Sequence, residues 1–238
     1  MNEMTEGHTV SNYNDELTHL HQLVIHMSEM GCQQLRDAVI TLKEKDIERA
    51  QMVIDNDREI NALDIQSDDQ IVHIIAKRQP LAKDLREILT VGKIVNDLER
   101  VGDQARWIAC LTLHLYDGDN GQPNEQLLTD IPKMAAVVDS MVAKSIESFD
   151  QLDLGLALKV IEMNLELEND FKSALRRLST FLMEDSRCVG HVTDVTLGLR
   201  ALERAGGHAK NIAGFVVFLA KGMDVRHTDL ETIAAEVF

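Results

Sequence analysis

The amino-acid sequence predicts an all-α protein, with six long helices arranged as two tandem three-helix bundles. The first observation behind this prediction is composition: 45% of the 238 residues are hydrophobic, only 4% are aromatic, and three prolines occur. Such a chain favours long helices with aliphatic cores over a β-sandwich or barrel. The second observation is the placement of the few turn-forming residues, and the third is an internal repeat.

The densest cluster of turn-forming residues lies near the middle of the chain. It covers residues 117–124 and contains two glycines and a proline, and Pro132 follows shortly afterwards. Clusters of this kind interrupt regular structure. We therefore expect a first three-helix repeat over residues 14–116, a linker over residues 117–126 and a second three-helix repeat over residues 127–224.

Shorter breaks separate the helices within each half. They fall at Lys45-Asp46, Gln79-Pro80, Asp153-Leu154-Gly155 and Asp185-Ser186. Pro80 is expected in the first turn of the third helix, where the missing backbone N–H of a proline does no harm. Each half is therefore expected to contain three helices.

The two halves share a recognisable sequence. Residues 97–109 and 201–213 are identical at seven positions, which include the motif Glu-Arg-x-Gly. Further upstream Asp46 aligns with Asp153, at an offset of 107 rather than 104, so the second copy is three residues shorter near the turn that holds Pro80. A duplicated helical bundle tolerates a length change at a turn while its helices are preserved.

The third helix is expected to pack against two neighbouring helices. Apolar or small residues recur along it at alternating steps of three and four, the a/d pattern of a packed helix. They are Ile88, Val91, Val95, Leu98, Gly102, Ala105 and Ala109. The small residues at the end of this series let another helix approach closely, so tight packing is the simplest explanation of the glycine that both copies contain.

A polar stripe beside that seam carries the candidate metal ligands. The stripe consists of Asn96, Glu99, Asp103 and Arg106. The second helix carries Asp57 and Asn61 at the same spacing as Glu99 and Asp103, and Asp64 and Asp68 continue this row. Side chains four residues apart lie about 6 Å apart along one face of a helix. If the two helices are antiparallel neighbours, Asp57 and Asn61 could meet Glu99 and Asp103.

An all-oxygen site of this kind would favour Mg, Mn or Ca, or iron as an oxo-type cluster. The alternative is an ordinary solvated acidic face, on which Arg100 and Arg106 form surface ion pairs of little energetic weight. The recurrence of Glu-Arg-x-Gly in the second copy favours a specific role for the stripe, because a random solvated face has no reason to repeat.

The composition also limits the partners and the location. The chain has 24 Lys and Arg against 40 Asp and Glu, a net charge of −16, which would repel nucleic acid. No stretch approaches the roughly 20 apolar residues of a membrane span. Three widely spaced cysteines without a CxxC pair suggest neither disulfides nor a thiolate metal site. We expect a soluble cytoplasmic protein that neither binds nucleic acid nor inserts into the membrane.

The histidines and the catalytic motifs give no indication of an enzyme. Glu16 and His19 have the Glu-x-x-His spacing of ferritin-like di-iron bundles, but such a site needs two copies and the chain has one. His208 is expected to cap or line the bundle rather than bind metal. The sequence shows no Gly-rich phosphate loop, no nucleophile elbow and no Ser/His/Asp order. We therefore expect no enzymatic activity.

Several motifs together resemble those of the PhoU family of phosphate-signalling regulators. They are residues 98–103, 202–206, 74–80 followed by 84–86, 183–187 and 221–227. The resemblance covers nearly the whole chain. It implies two three-helix bundles side by side, often in a homodimer.

The resemblance further implies a cytoplasmic accessory protein of a high-affinity phosphate ABC transporter. Such a protein would be an adaptor between the ATPase subunit of the transporter and a PhoR-type sensor histidine kinase. It would repress phosphate-starvation genes and restrain uptake when phosphate is plentiful, and the transporter would recruit it to the inner face of the membrane. The residues alone leave two other classes open: a carboxylate-bundle metal-storage or di-iron redox protein, and a purely structural scaffold.

The resemblance also implies a metal site built on a Glu/Asp-x-x-x-Asp motif. Carried over to this sequence, the ligands would be Asp57, Glu99 and Asp103, with Asn61 as a further candidate. The metal would be a divalent or trivalent ion such as Mg, Mn, Fe or Zn.

The second repeat departs from this motif. Asn164 stands where an acid is expected, and Gly207 stands where Asp103 has its counterpart. Asn164, Glu168 and Glu203 are therefore weaker candidate ligands, and we expect metal to occupy the first repeat preferentially.

Overall fold

The computed structural model of the protein describes residues 11–116, 123–225, 228 and 230–237. These residues form seven α-helices and no β-strand, which confirms the all-α prediction. The helices are α1 (Ser11–Glu44), α2 (Ile47–Arg78), α3 (Ala82–Tyr116), α4 (Asp130–Gln151), α5 (Leu154–Glu184), α6 (Val189–Lys221) and α7 (Leu230–Val237). Two short 3₁₀ turns, Glu125–Leu128 and Ser186–Cys188, precede α4 and α6. Six helices are long, as predicted, whereas the short α7 lies beyond the predicted second repeat.

The helices pack as two three-helix bundles that share one hydrophobic core. α1, α2 and α3 pack against one another, and α4, α5 and α6 do the same. The bundles join mainly through α3 and α6, with a smaller contact between α1 and α4. The predicted a/d seam of α3 is buried along its whole length, because it faces these neighbours. The central position of α3 explains its two-sided packing.

The turn between the first and second helices is the same in both repeats. Lys45 and Leu152 end the first helix of each repeat with φ angles of 61° and 52°. The next residue caps the following helix: Asp46 accepts a hydrogen bond from the backbone N–H of Arg49, and Asp153 accepts two. An aspartate in this position satisfies backbone donors that the first helical turn leaves unpaired.

The repeated glycine lies at a close helix contact within each bundle. A Cβ atom at residue 102 would stand 3.0 Å from Cδ1 of Ile60, and one at residue 206 would collide with Cδ2 of Leu167. A Cβ at Gly92 would likewise stand 3.0 Å from Ile71. Later residues of α3 therefore contact earlier residues of α2, so the two helices are antiparallel neighbours, as expected.

The connection between α2 and α3 differs from the prediction for Pro80. α2 ends at Arg78 and α3 begins at Ala82, so Pro80 lies before the helix and not in its first turn. The physical reason is backbone conformation: Gln79 has φ 51° and Ala82 has φ 48°, left-handed values that reverse the chain on either side of the proline.

Charged side chains hold the helices together within and between the bundles. Nε and Nη2 of Arg78 donate to the two carboxylate oxygens of Glu16, each at 2.8 Å, which ties α2 to the start of α1. Between the bundles, Nδ1 of His208 on α6 lies 2.6 Å from Oδ1 of Asp97 on α3. Asp97 is 7% exposed, so this pair is largely shielded from solvent. His208 thus lines the helix interface, as predicted.

All three cysteines are free thiols, in agreement with the sequence analysis. Burial raises the pKa of the Cys32 thiol to about 12, which keeps it protonated and unreactive. None of the helices described is both long and apolar enough to cross a membrane.

Candidate functional site

The structure places the predicted ligands of the first repeat along the contact between α2 and α3, a region called here the acidic cleft. Asp57 is buried at 5% exposure, whereas Asn61, Glu99 and Asp103 are half-buried along the same cleft. Asp64 continues the α2 row one turn further on, as the spacing predicted. The acidic cleft therefore carries several carboxylates, of which Asp57 is the most buried.

Asp57 is held by amide groups rather than by a full ion pair. Its Oδ1 accepts a hydrogen bond of 3.2 Å from Nε2 of Gln34 on α1, and its Oδ2 accepts one of 3.2 Å from Nδ2 of Asn61. The guanidinium of Arg106 on α3 is more distant, with Nε 3.9 Å from Oδ2. Two neutral donors and one distant cation leave most of the negative charge of this buried carboxylate uncompensated.

The carboxyl group of Glu99 has a raised pKa. Burial raises its pKa, and the charges of Asp103, Asp64 and Asp57 raise it further, while Arg100 opposes the shift. Its Oε2 is buried and makes no hydrogen bond, although Nε of Arg100 lies 3.4 Å away. Repulsion among carboxylates and an unpaired buried oxygen are what a cation would relieve.

Asp64 also has a raised pKa. Burial raises the pKa of this carboxyl, the neighbouring Asp68 adds to the increase, and Arg100 opposes it. Arg100 is therefore shared among several acids, since it also lies 3.5 Å from Oδ2 of Asp103. One half-exposed guanidinium does not neutralise the cleft.

Gln34 is the member of the site that the sequence analysis missed. It is 7% exposed, it donates to Asp57, and its Oε1 is buried without a hydrogen-bond partner. This oxygen lies next to Gly102, 3.4 Å from where a Cβ would stand. A signal did exist, because the offset of 107 that relates Asp46 to Asp153 also relates Gln34 to Met141.

The donor set of this cleft fits a hard cation. It offers carboxylate and amide oxygens only, two of which, Gln34 Oε1 and Glu99 Oε2, lack any hydrogen-bond partner. In the part of the chain that the structure describes, however, no three acidic, histidine or cysteine side chains converge on one point. Binding would therefore require side-chain rotations, including a turn of the Gln34 amide that directs its oxygen toward Asp57.

The second repeat lacks most of these groups. Asn164 is buried at 4% exposure and donates a hydrogen bond of 2.8 Å to Oε1 of Glu168. Glu203 pairs instead with Arg200 at 2.7 Å. Gly207 faces open space, and the position of Gln34 is taken by Met141, whose Cε lies 3.6 Å from a Cβ placed at residue 206. This region therefore has fewer carboxylates than its counterpart in the first repeat, and a methionine replaces the buried amide of Gln34.

The Glu-x-x-His pair near the N-terminus does not form part of a metal centre. Both oxygens of Glu16 accept hydrogen bonds from Arg78, and His19 is exposed on the outside of α1. The role of Glu16 is therefore to form an ion pair with Arg78. This observation weakens the di-iron interpretation, which needs inward-facing carboxylate and imidazole groups.

The fold and the cleft define a class: a duplicated three-helix bundle in which one half carries an acidic, oxygen-lined cleft and the other half does not. Comparison with known proteins identifies the family of the chain. The family model described as the PhoU domain matches residues 24–112 and again residues 131–216. The chain belongs to the PhoU family.

Curated relatives match over almost their full length. A protein of Pseudomonas putida, named "Phosphate-specific transport system accessory protein PhoU homolog", is 37% identical over 99% of this chain and 91% of its own. The Escherichia coli K12 protein, "Phosphate-specific transport system accessory protein PhoU", is 31% identical over 92% of this chain and 90% of its own. The names of these relatives describe accessory proteins.

Solved structures agree with the fold. The crystal structure of PhoU from Pseudomonas aeruginosa superposes with a TM-score of 0.81 at 35% identity, over 89% of this chain and 100% of that one. A phosphate transport system regulatory protein PhoU from Streptococcus pneumoniae gives a TM-score of 0.76 at 23% identity, over 90% of this chain and 99% of that one. The second likeness supports the fold alone.

Proposed function

We propose that this protein is a negative regulator of phosphate uptake and of the phosphate-starvation response, acting as an adaptor between a phosphate ABC transporter and a sensor histidine kinase. The observation that carries the proposal is the near full-length match to relatives named as accessory proteins of the phosphate-specific transport system. An adaptor needs binding surfaces and no catalytic residues, and we assign none to this chain.

The proposed partners are the ATPase subunit of the transporter and a PhoR-type kinase, and the proposed location is the cytoplasmic face of the membrane. The negative net charge of −16 supports recruitment through a protein, because anionic lipid would repel such a chain. The proposal includes a homodimer, which light scattering of the purified protein can test.

The acidic cleft of the first repeat is proposed to hold a divalent or trivalent cation. Asp57, Glu99 and Asp103 would supply charged oxygens, and Asn61 and Gln34 would supply neutral ones. A bound ion would neutralise carboxylates that now repel one another and would fix α1, α2 and α3 in one arrangement. The ion would then act structurally, by holding the bundle in the form that a partner recognises.

The regulatory role is testable by deletion of the gene. In phosphate-rich medium, cells that lack the protein should show raised alkaline-phosphatase-type starvation output, and the intact gene should restore repression. Unchanged output would contradict the role as a repressor. Affinity purification from phosphate-replete cells, probed with antibodies to the ATPase subunit and the kinase, tests the adaptor role separately.

A further inference from the structure

The connection between α2 and α3 is chemically unlike the rest of the molecule. Residues 77–86, called here the basic tip, contain four basic side chains and one acidic side chain in a protein of net charge −16. Leu81 at its centre is 79% exposed. Lys77 and Lys83 on either side are also exposed. An exposed leucine between two lysines is therefore presented to solvent at one end of the molecule.

The backbone of the basic tip is held in an unfavourable conformation. Gln79 and Ala82 have φ angles of 51° and 48°, although neither is glycine. Gln79 is the C-cap of α2, where left-handed backbone is common, whereas Ala82 begins α3 and has no such role, so its conformation must be imposed by its surroundings. Leu81 lies between these two residues, so its direction is set by the backbone.

Two arginines supply that support. Arg78 is fixed by its double hydrogen bond to Glu16 on α1. On the other side Arg86 donates to the carbonyl oxygen of Leu219 at 3.5 Å, lies 5.7 Å from the centre of the Phe218 ring and packs against Gly222. The basic tip is thereby anchored to both bundles, and its exposed members are presented by a rigid base.

The connection between α5 and α6 in the second repeat differs from the basic tip in length, charge and backbone conformation. It is three residues shorter, and residues 181–190 contain one basic and two acidic side chains. None of the residues there has a positive φ angle. It does present two apolar side chains, Met183, which is 86% exposed, and Val189, which is 57% exposed. Exposure of an apolar residue is thus shared by both connections, whereas the positive charge and the imposed conformation are confined to the first.

We propose that the basic tip docks onto a protein component of the phosphate transport system, at an apolar pocket rimmed by carboxylates. Leu81 would fill the pocket, and Lys77 and Lys83 would meet the acidic rim. A rigid apolar anchor loses little conformational entropy on binding, and flanking charges steer the encounter. A lipid surface is disfavoured as the partner because the protein as a whole is strongly negative. This inference rests on the proposed function, since it identifies how that partner is bound.

The test uses the purified phosphate transporter of the same organism in lipid nanodiscs and measures binding of the full-length protein by surface plasmon resonance. Leu81→Asp should weaken binding at least about tenfold, as expected for loss of a central apolar anchor. Lys77→Glu with Lys83→Glu should slow association and remove much of its dependence on salt. Met183→Asp, the matched change at the other connection, should bind like the wild type.

The possible outcomes separate the two proposals. If the wild type binds the transporter and Leu81→Asp binds equally well, the basic tip is not the docking site, whereas the proposed function stands. If the wild type does not bind the transporter at all, the proposed function fails, and the docking site assigned to that partner fails with it. Binding of the wild type to empty nanodiscs of anionic lipid, lost in Leu81→Asp, would overturn the protein partner in favour of the membrane. Unchanged circular-dichroism melting of Leu81→Asp excludes misfolding as the cause of any loss.

Discussion

The two repeats have the same helical frame but different polar interiors. Asp46 and Asp153 cap corresponding helices, and Gly102 and Gly206 allow corresponding close contacts. At the centre of the bundle, however, Asp57 in the first repeat is replaced by Asn164 in the second. Caps and close contacts determine whether the bundle forms, so they are kept. The buried polar cluster differs between two repeats that form the same bundle, so it is the part that has specialised.

The largest expected effect concerns metal content. Glu99→Ala combined with Asp103→Ala should remove most of the metal bound to the purified protein, because two charged ligands are lost together. Glu203→Ala, the matched change in the second repeat, should leave the metal content almost unaltered. Elemental analysis of the metal-to-protein ratio after dialysis decides the matter. An unchanged ratio in the double variant would mean that the stripe is an ordinary solvated face.

A second prediction transfers the site to the other repeat. Asn164→Asp with Gly207→Asp supplies the two missing carboxylates, and Met141→Gln supplies the buried amide. In metal-free buffer the triple variant should be less stable by about 1 to 3 kcal/mol, since a second buried carboxylate then faces Glu168. Added manganese should restore the stability and double the metal content.

The variant without Met141→Gln is the control for this transfer. It should bind the second ion more weakly, because the apolar methionine offers the ion no oxygen. Thermal unfolding with and without manganese measures both effects. Equal binding by the two variants would show that the amide is dispensable.

A third difference between the repeats is a buried acid near the start of α3. Glu87 is 5% exposed, and burial, with a contribution from the charge of Asp84, raises its pKa to about 7. The repeat alignment places the half-buried His191 at the corresponding position. Glu87 should therefore make the stability of the protein depend on pH.

The sign of this dependence follows from the direction of the shift. Between pH 4.5 and 7 the folded protein holds a proton that the unfolded chain has released, so stability falls as the pH rises through this window. At pH 8 Glu87→Gln should be more stable than the wild type by about 2 to 3 kcal/mol, and at pH 4.5 the difference should vanish. Urea unfolding at several pH values measures it, with the exposed Glu166→Gln as control. A stability difference between Glu87→Gln and the wild type that is the same at every pH would contradict the raised pKa of Glu87.

The smallest expected effect tests the shared close contact. Gly206→Ala should destabilise the protein by about 1 to 2 kcal/mol, because the new methyl group collides with the fully buried Leu167. Gly102→Ala should change stability by less than about 1 kcal/mol, since its 3.0 Å contact needs only a small shift and the helix gains from losing a glycine. Chemical denaturation of the two variants compares them directly. A larger loss of stability for Gly102→Ala than for Gly206→Ala would mean that the helices pack more tightly at Gly102.

The fold was predictable from sequence because its determinants are local or periodic. The a/d seam of α3 and the aspartate caps depend on residue spacing alone, and both appear in the structure. The helix boundaries near Pro80 were less accessible, since the positive φ angles of Gln79 and Ala82 come from anchoring by distant residues. The short helix α7 was missed, because the predicted second repeat ended before it.

The candidate site was only partly predictable. The spacing of Glu99 and Asp103 identified the α3 stripe, and the same spacing identified Asp57 on α2. Gln34 was missed because a single glutamine on an amphipathic helix gives no periodic signal, and its burial depends on how α1 packs onto the other two helices. Extension of the repeat alignment into α1 would have revealed it as a polar residue opposite a methionine.

The contact between Asp97 and His208 occurs only once between the two halves, although the halves are repeats. In a dimer of two identical chains related by a two-fold axis, every contact across the interface occurs twice. Here the repeat alignment places Ala201 and Gln104 at the mirrored positions, and they cannot form an ion pair. In a single chain the two sides of the interface are encoded separately and need not be identical. The residues of α3 and α6 at their contact have therefore been able to change independently.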